Sequence, residues 1–306
     1  MAKIKKAPLL ALSVAEVHQV LTGDGAIQIH EDDPVLGNFI VPHQQAWGRA
    51  DLMLDISMQW PDGKEFQRYE KVFDSHGAWS LWRHEKNRLL QLHPPGAPWP
   101  VWQLLTDETF GSGTLFLGDG RIIGQDGRIE LTNPLRYPLD QVLLMHHLVL
   151  RGGLLVHGAG VRWDRAGYLF PGVSGAGKST LSRLLGAAGH QVLSDDRMMI
   201  RKMGPTFKAF GTPWPGDAGM AVNGGGPLAG MFFLKRGDRD RIVSIDPGTA
   251  LKRLMPVTSI PWYDPLLFGP ALEICDDLVS SVPAFDLFFR PTSGIVHVLE
   301  AFQRTH

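Results

Sequence analysis

One run of residues carries the clearest chemical signal: Gly172-Val173-Ser174-Gly175-Ala176-Gly177-Lys178-Ser179, followed by Thr180, keeps the spacing G-x-x-x-x-G-K-[ST]. Glycine lacks the Cβ that would obstruct consecutive backbone N–H groups from turning inward, so such a run can wrap a polyphosphate with its amides. Lys178 is then placed to reach the terminal phosphates, and the Ser179 hydroxyl is an oxygen donor suited to Mg²⁺. Two carboxylates follow, Asp195 and Asp196. One can hold a metal, directly or through water, while its neighbour accepts a proton from an attacking hydroxyl. An isolated Asp-Asp is ordinarily a solvated acidic turn; beside a phosphate loop the pair reads as chemistry.

The flanking residues predict the elements that would hold these groups. Tyr168-Leu169-Phe170-Pro171 is a short apolar strand stopped by its proline. After the loop, Thr180, Leu181, Leu184 and Leu185 recur at helical spacing until Gly186 to Gly189, which aims a helix N-terminus at the phosphates. Gln191 to Ser194 is a further strand that delivers the acidic pair at its C-terminal end, the edge where open α/β sheets bind ligands.

With those residues in view, the segment Leu154 to Arg201 resembles the catalytic domain of HPr kinase/phosphorylase and its relatives, P-loop proteins similar in turn to ATP-dependent phosphoenolpyruvate carboxykinase. His157-Gly158 lies 21 residues before Lys178 and Asp196 lies 18 after it, matching that family's order of a His-Gly closing one strand, a further strand, the glycine loop and a strand ending in Asp-Asp. The resemblance implies a catalytic-site histidine at His157, the phosphate lysine at Lys178, the proton acceptor at Asp196, and Ser179 as a metal ligand; Asp195, the other member of the pair, is read as holding the same metal. It also implies ATP and Mg²⁺ as cofactors and a serine hydroxyl on a protein or peptide as acceptor. Beyond Arg201 the chain departs from the family: its metal-binding Glu and later catalytic Arg are not readable, and Gly211 to Asp217 and Asn223 to Gly226 stand in their place.

A chain of 306 residues can hold two domains of ordinary size, and its 44% apolar and 20% charged residues describe a soluble globular protein with no apolar run long enough to span a bilayer. A net charge of −1 argues against nucleic acid as partner, since there is no basic excess to displace counterions. Lys3, Lys5 and Lys6 ahead of Ala7 to Ala15 imitate a short signal peptide, but Pro8 interrupts the run and an ATP site belongs in the cytoplasm. The single cysteine, Cys275, fits a reducing compartment. Oligomeric state is left open, a homo-oligomer included.

Taken in order, residues 1–135 read as a β-rich domain. Leu52, Leu54, Ile56, Met58 and Trp60 alternate with other residues at strand period, and Pro61-Asp62-Gly63 turns the chain toward a second strand from Phe66 to Phe73. Leu89 to Leu92, Leu115 to Leu117, Ile122-Ile123 and Ile129 to Leu131, separated by turns at Lys86-Asn87, Gly118-Asp119-Gly120 and Asp126-Gly127, predict an antiparallel meander. Six tryptophans (47, 60, 79, 82, 99 and 102) lie here; core packing of a thin β-domain is favoured over a binding groove. Residues 136–306 read as the phosphate-loop domain, so the chain as a whole is α/β (α+β overall). A helix from Pro138 contains His146-His147, read as core or surface histidines. Strands are expected at Met198 to Arg201, Phe207 to Phe210, Leu228 to Leu234 and Phe285 to Phe289, and helices at Pro247 to Leu254, Pro265 to Ser281 and Ile295 to Phe302. The Gly- and Pro-rich stretch from Gly211 to Pro227 is either a substrate-covering loop, with Asp217 as a further metal ligand, or a surface excursion. Lys235 to Arg241 is read as a solvated hairpin turn ahead of any role on a phosphoryl group.

The expectation is an Mg·ATP-dependent kinase acting on a hydroxyl of a protein or peptide. Two other readings stay open: a small-molecule hydroxyl kinase, and a nucleotide-dependent regulatory protein without an acceptor.

Overall fold

The computed structural model describes residues 6–76, 79–118, 122–123 and 128–305. The expected turns at Asp119-Gly120 and Asp126-Gly127, and Lys3 and Lys5, lie outside the described residues. The chain is mixed α/β and divides into two compact units, 1–147 and 148–306. The division falls inside the helix Leu139–Val149.

The first unit holds β1 (Ala7–Val14), β2 (Val17–Gly23), β3 (Ile27–His30), α1 (Pro34–Gly37), α2 (His43–Ala46), β4 (Leu52–Ser57), β5 (Glu70–Asp74), β6 (Trp79–His84), β7 (Asn87–Leu92), β8 (Trp102–Asp107), β9 (Ser112–Leu117), β10 (Ile122–Ile123) and β11 (Ile129–Thr132). Leu52, Leu54 and Ile56 face the core from β4 while the residues between them are less buried, as the period of two requires. The large sheet runs β1-β2-β4-β9-β8-β7-β6-β5, and β10-β11-β3 form a small second sheet. This is not a simple meander: β2 with β4, β4 with β9, and β11 with β3 pair in parallel. Residues 63–68 form a 3-10 helix instead of beginning a strand, with Asp62 accepting from the Lys64 amide. Of the six tryptophans Trp102 is buried, Trp79 and Trp82 are half-buried, and Trp99 is 78% exposed, so most of these rings lie outside the core. Trp60, Phe66, Trp99 and Trp102, with Pro98 and Leu131, line a cavity of about 910 Å³.

α3 (Leu139–Val149) carries the two histidines on buried positions; the His146 ring stacks on Phe110, centroids 4.3 Å apart. The second unit continues with β12 (Gly153–Trp163), β13 (Ala166–Pro171), α4 (Lys178–Ala187), β14 (Gln191–Ser194), β15 (Arg197–Met203), β16 (Thr206–Phe210), β17 (Gly225–Arg236), β18 (Arg241–Ile245), α5 (Pro247–Leu254), α6 (Pro265–Ser281), β19 (Ala284–Phe289) and α7 (Gly294–Thr305). Its sheet runs β13-β12-β15-β16-β17-β19-β18, and a further pairing of β13 with β17 closes five of these strands into a ring. Most pairs are antiparallel, so this is not the open parallel sheet that the strand-loop-helix pattern evoked. Asp246 and Asp264 cap α5 and α6, each followed by proline in the first turn. The expected hairpin at 235–241 does not form, because β19 pairs with both β17 and β18 and lies between them. A core of Phe170, Leu181, Leu185, Phe232, Leu287 and Leu299 packs α4 and α7 onto the sheet. Among the described residues no helix is long and apolar enough to cross a membrane.

Candidate functional site

β12 is one unbroken strand, and His157-Gly158 sits inside it rather than at the end of a shorter one. The pair marks the point where the partners of β12 change. Along one edge it pairs with β15 through residue 157 and with β14 from residue 160, both antiparallel. β14 and β15 therefore act as one strand interrupted by a bend at Asp195-Asp196, opposite His157-Gly158. On the other edge Gly158 faces Pro171, the last residue of β13 before the glycine turn.

Three hydrogen bonds follow from that register. Gly158 N donates to Asp196 O at 2.9 Å, and Gly172 N donates to His157 O at 3.1 Å. One dipeptide thus fixes the start of the glycine turn on one side and the acidic pair on the other. Glycine suits 158 because a Cβ there would crowd the β13 backbone, 3.0 Å from Phe170 O and 3.1 Å from Pro171 Cα. The third contact is between side chains: His157 Nε2 lies 3.1 Å from Asp196 Oδ1. Burial, then the positive charges of Lys178 and Arg197, hold this imidazole below its usual value against the opposing pull of Asp196. A neutral ring beside a carboxylate carries its proton on the nitrogen that faces it, since a carboxylate can only accept.

The turn itself leads directly into α4. Gly175 and Gly177 have φ of 79° and 102°, and Gly177 is the N-cap, so no side chain occupies the first-turn amides. Val173, Ser174 and Gly175 are exposed, while Gly172, Ala176 and Gly177 are half-buried. Lys178 is buried, and its Nζ donates to Gly172 O at 2.8 Å and Val173 O at 2.9 Å, spanning the turn from inside. Burial brings this amine below its usual value, with Asp196 opposing. Ser179 and Thr180 are half-buried in the first turn of the helix.

Asp195 departs from the metal-ligand expectation. It is 1% exposed, and its carboxylate accepts from three backbone amides of the 211–224 segment: Gly216 at 2.9 Å, Ala218 at 2.7 Å and Met220 at 3.2 Å. A carboxylate committed to three N–H donors organises the loop that supplies them. The segment is further tied by Val222 N to Leu193 O at 2.9 Å and by Arg183 Nη2 of α4 to Asp217 O at 3.0 Å. It is therefore a built loop joined to both the acidic strand and the helix, while Asp217 itself is exposed. Among the described residues no cluster of three or more His, Cys, Asp or Glu is arranged to hold a metal.

Sequence reasoning missed Arg197. It starts β15 across from His157, with Nε 3.7 Å from Asp196 Oδ2. It also missed the buried hydroxyls of Ser194 and Thr212, which bind the backbone of this residue. The run Ser194-Asp195-Asp196-Arg197 held the signal for two of the three, whereas Thr212 has no local signature. Cys275 is buried in α6 with its thiol pushed up to about 11, and no role is assigned to it.

Comparison with known proteins adds the following. Residues 139–264 match the family model described as SynChlorMet cassette protein ScmC, under half of the 306 residues. No curated protein matches the sequence significantly. Among solved structures the chain is similar to the Hpr(Ser) kinase/phosphatase from Coxiella burnetii, at 15% identity and a TM-score of 0.31 over 49% of this chain and 96% of that one.

Proposed function

We propose that this protein is an Mg·ATP-dependent phosphotransferase that moves the γ-phosphoryl group to a hydroxyl of a protein or peptide. The observation that carries the reading is the double tether of His157-Gly158 to Gly172 and to Asp196, which brings an amide-lined turn, a buried lysine, an imidazole and a carboxylate to one place. In this reading the amides of residues 172–180 and Lys178 Nζ bind the β- and γ-phosphates. The acceptor oxygen attacks phosphorus, its proton passes to Asp196, the bond to the bridging oxygen breaks, and ADP leaves. His157, neutral, donates to Asp196 and orients it.

Mg²⁺ fits the donor set as an ion that keeps most of its shell as water and phosphate oxygen, with the Ser179 hydroxyl, in the first turn of α4, as its protein ligand. When bound it neutralises charge on the β- and γ-phosphates. Asp195 supplies no ligand in this scheme, because its oxygens are taken by the 211–224 amides. The test is direct: γ-labelled ATP with the purified protein and a cell lysate, followed by mass spectrometry of whatever gains phosphate. Label on a seryl or threonyl peptide in the presence of wild type and not of Asp196→Asn supports the reading; nucleotide binding with no labelled acceptor favours the regulatory-protein alternative.

A further inference from the structure

We infer that Arg197 is the cation that takes up the negative charge of the transferring phosphoryl group. This rests on the phosphotransfer reading above and supplies the arginine that the sequence left unassigned. In a regular strand neighbouring side chains diverge to opposite faces. Here the bend at Asp195-Asp196 lets Arg197 come back beside its neighbour, with Nε 3.7 Å from Asp196 Oδ2. Its backbone is held on both sides by hydroxyls with no exposed surface: Arg197 N donates to Ser194 Oγ at 3.3 Å, and Thr212 Oγ1 donates to Arg197 O at 2.7 Å. Its side chain is 26% exposed, so a guanidinium on a fixed stem still reaches solvent at the site.

Four other arginines of this unit have their guanidinium engaged elsewhere. Arg183 donates to Asp217 O, Arg253 pairs with Asp286, Arg290 faces Asp240, and Arg241 lies over the Phe288 ring at 4.1 Å. Arg197 instead faces the carboxylate that receives the acceptor proton. When Asp196 takes that proton its charge is cancelled, and Arg197 loses its anionic partner as the phosphoryl oxygens gain charge. The cation is thus handed from the base to the transferring group within one step, with ADP, a phosphate ester and a protonated Asp196 as the balanced products.

The test avoids the unidentified acceptor. Affinity of the full chain is measured for Mg·ADP alone and for Mg·ADP with aluminium fluoride, which imitates the transferring phosphoryl group. Wild type should bind tighter with fluoride present. Arg197→Met should keep Mg·ADP affinity within about threefold yet lose at least tenfold of the tightening, with Arg197→Lys recovering part of it as a charged but unforked substitute. Equal tightening in Arg197→Met would overturn the inference. So would an equal loss of both affinities together with a lowered Tm, since a purely structural residue weakens both states alike. Wild type that binds Mg·ADP but shows no tightening sinks the role of Arg197 and leaves the nucleotide site standing; wild type that binds no Mg·ADP sinks the phosphotransfer reading itself.

Discussion

At the site, each residue works through what its neighbours leave it free to do. Asp196 shares its carboxylate between His157 Nε2 and Arg197 Nε and remains a third exposed, open to an incoming hydroxyl. Asp196→Asn should retain Mg·ATP affinity and lose turnover by roughly 10²–10⁴, the usual contribution of a positioned base, as read by single-turnover kinetics. In the proposed phosphotransfer Lys178 donates to the phosphates, so Lys178→Met should weaken Mg·ATP binding about 10- to 100-fold in a calorimetric titration. His157 supplies the pH dependence. Its folded value is held down by burial and by Lys178 and Arg197, so in acid the unfolded chain takes up this proton before the folded one does. The stability that the neutral ring confers is therefore complete above the usual imidazole value near 6.5 and is lost as pH falls through the lowered folded value. Denaturation midpoints between pH 7 and 5 should drop more steeply for wild type than for His157→Gln; parallel curves would mean that the imidazole does not titrate as this geometry requires.

Among the elements, those with a local periodic cause were legible and those with a distant cause were not. β4, β13, α4 and α6 follow from alternation, from a proline stop, from leucines at helical spacing and from an Asp-Pro start. The placement of the glycine turn between β13 and α4, and of Asp196 after β14, was equally legible, because spacing along one short segment encodes it. The closed ring of strands in the second unit, the position of β19 between β17 and β18, and the unbroken course of β12 through His157 depend on pairings between residues far apart in sequence. The tryptophans misled for a related reason: ring size says that surface is buried, not where. The role of Asp195 belongs to the same class, since the amides it binds lie 21 to 25 residues on. Three expected outcomes follow at this scale. Asp195→Ala strands three amides, each costing roughly 1–3 kcal/mol if left unsatisfied, so the variant should unfold at lower denaturant and be cut within 211–224 by a protease that spares wild type. Mg²⁺ dependence of nucleotide binding in Asp195→Asn should stay unchanged, and a large shift would return this residue to the metal. Gly177→Ala forces a Cβ to 3.0 Å from the Phe289 ring at φ 102°, a strain of order 1–3 kcal/mol that should appear as reduced stability together with lost nucleotide affinity.

For the molecule as a whole, the site is assembled from stretches widely separated in sequence: 157–158, 172–180, 195–197 and 211–224. No single element owns it, so occupancy by nucleotide should restrain all of these stretches at once. Hydrogen exchange of the full chain with saturating Mg·ATP should therefore slow amides in each stretch, most strongly at 172–180, where the turn and the first helical turn lack a side-chain cap. The corresponding free energy follows from mass action. At a nucleotide concentration a hundred times Kd, binding to the folded state alone contributes about 2.7 kcal/mol, which for a unit of this size is a rise of roughly 5–10 °C in its transition. Lys178→Met, weakened about 10- to 100-fold, should lose roughly half or more of that rise at the same concentration, while Asp196→Asn should keep it. That split is the decisive one. A fold stabilised by Mg·ATP in the Asn variant but silent in turnover separates the residues that hold the nucleotide from the residue that spends it, whereas loss of the rise in both variants would mean that Asp196 helps to hold the nucleotide through Mg²⁺ and would remove it from its role as base.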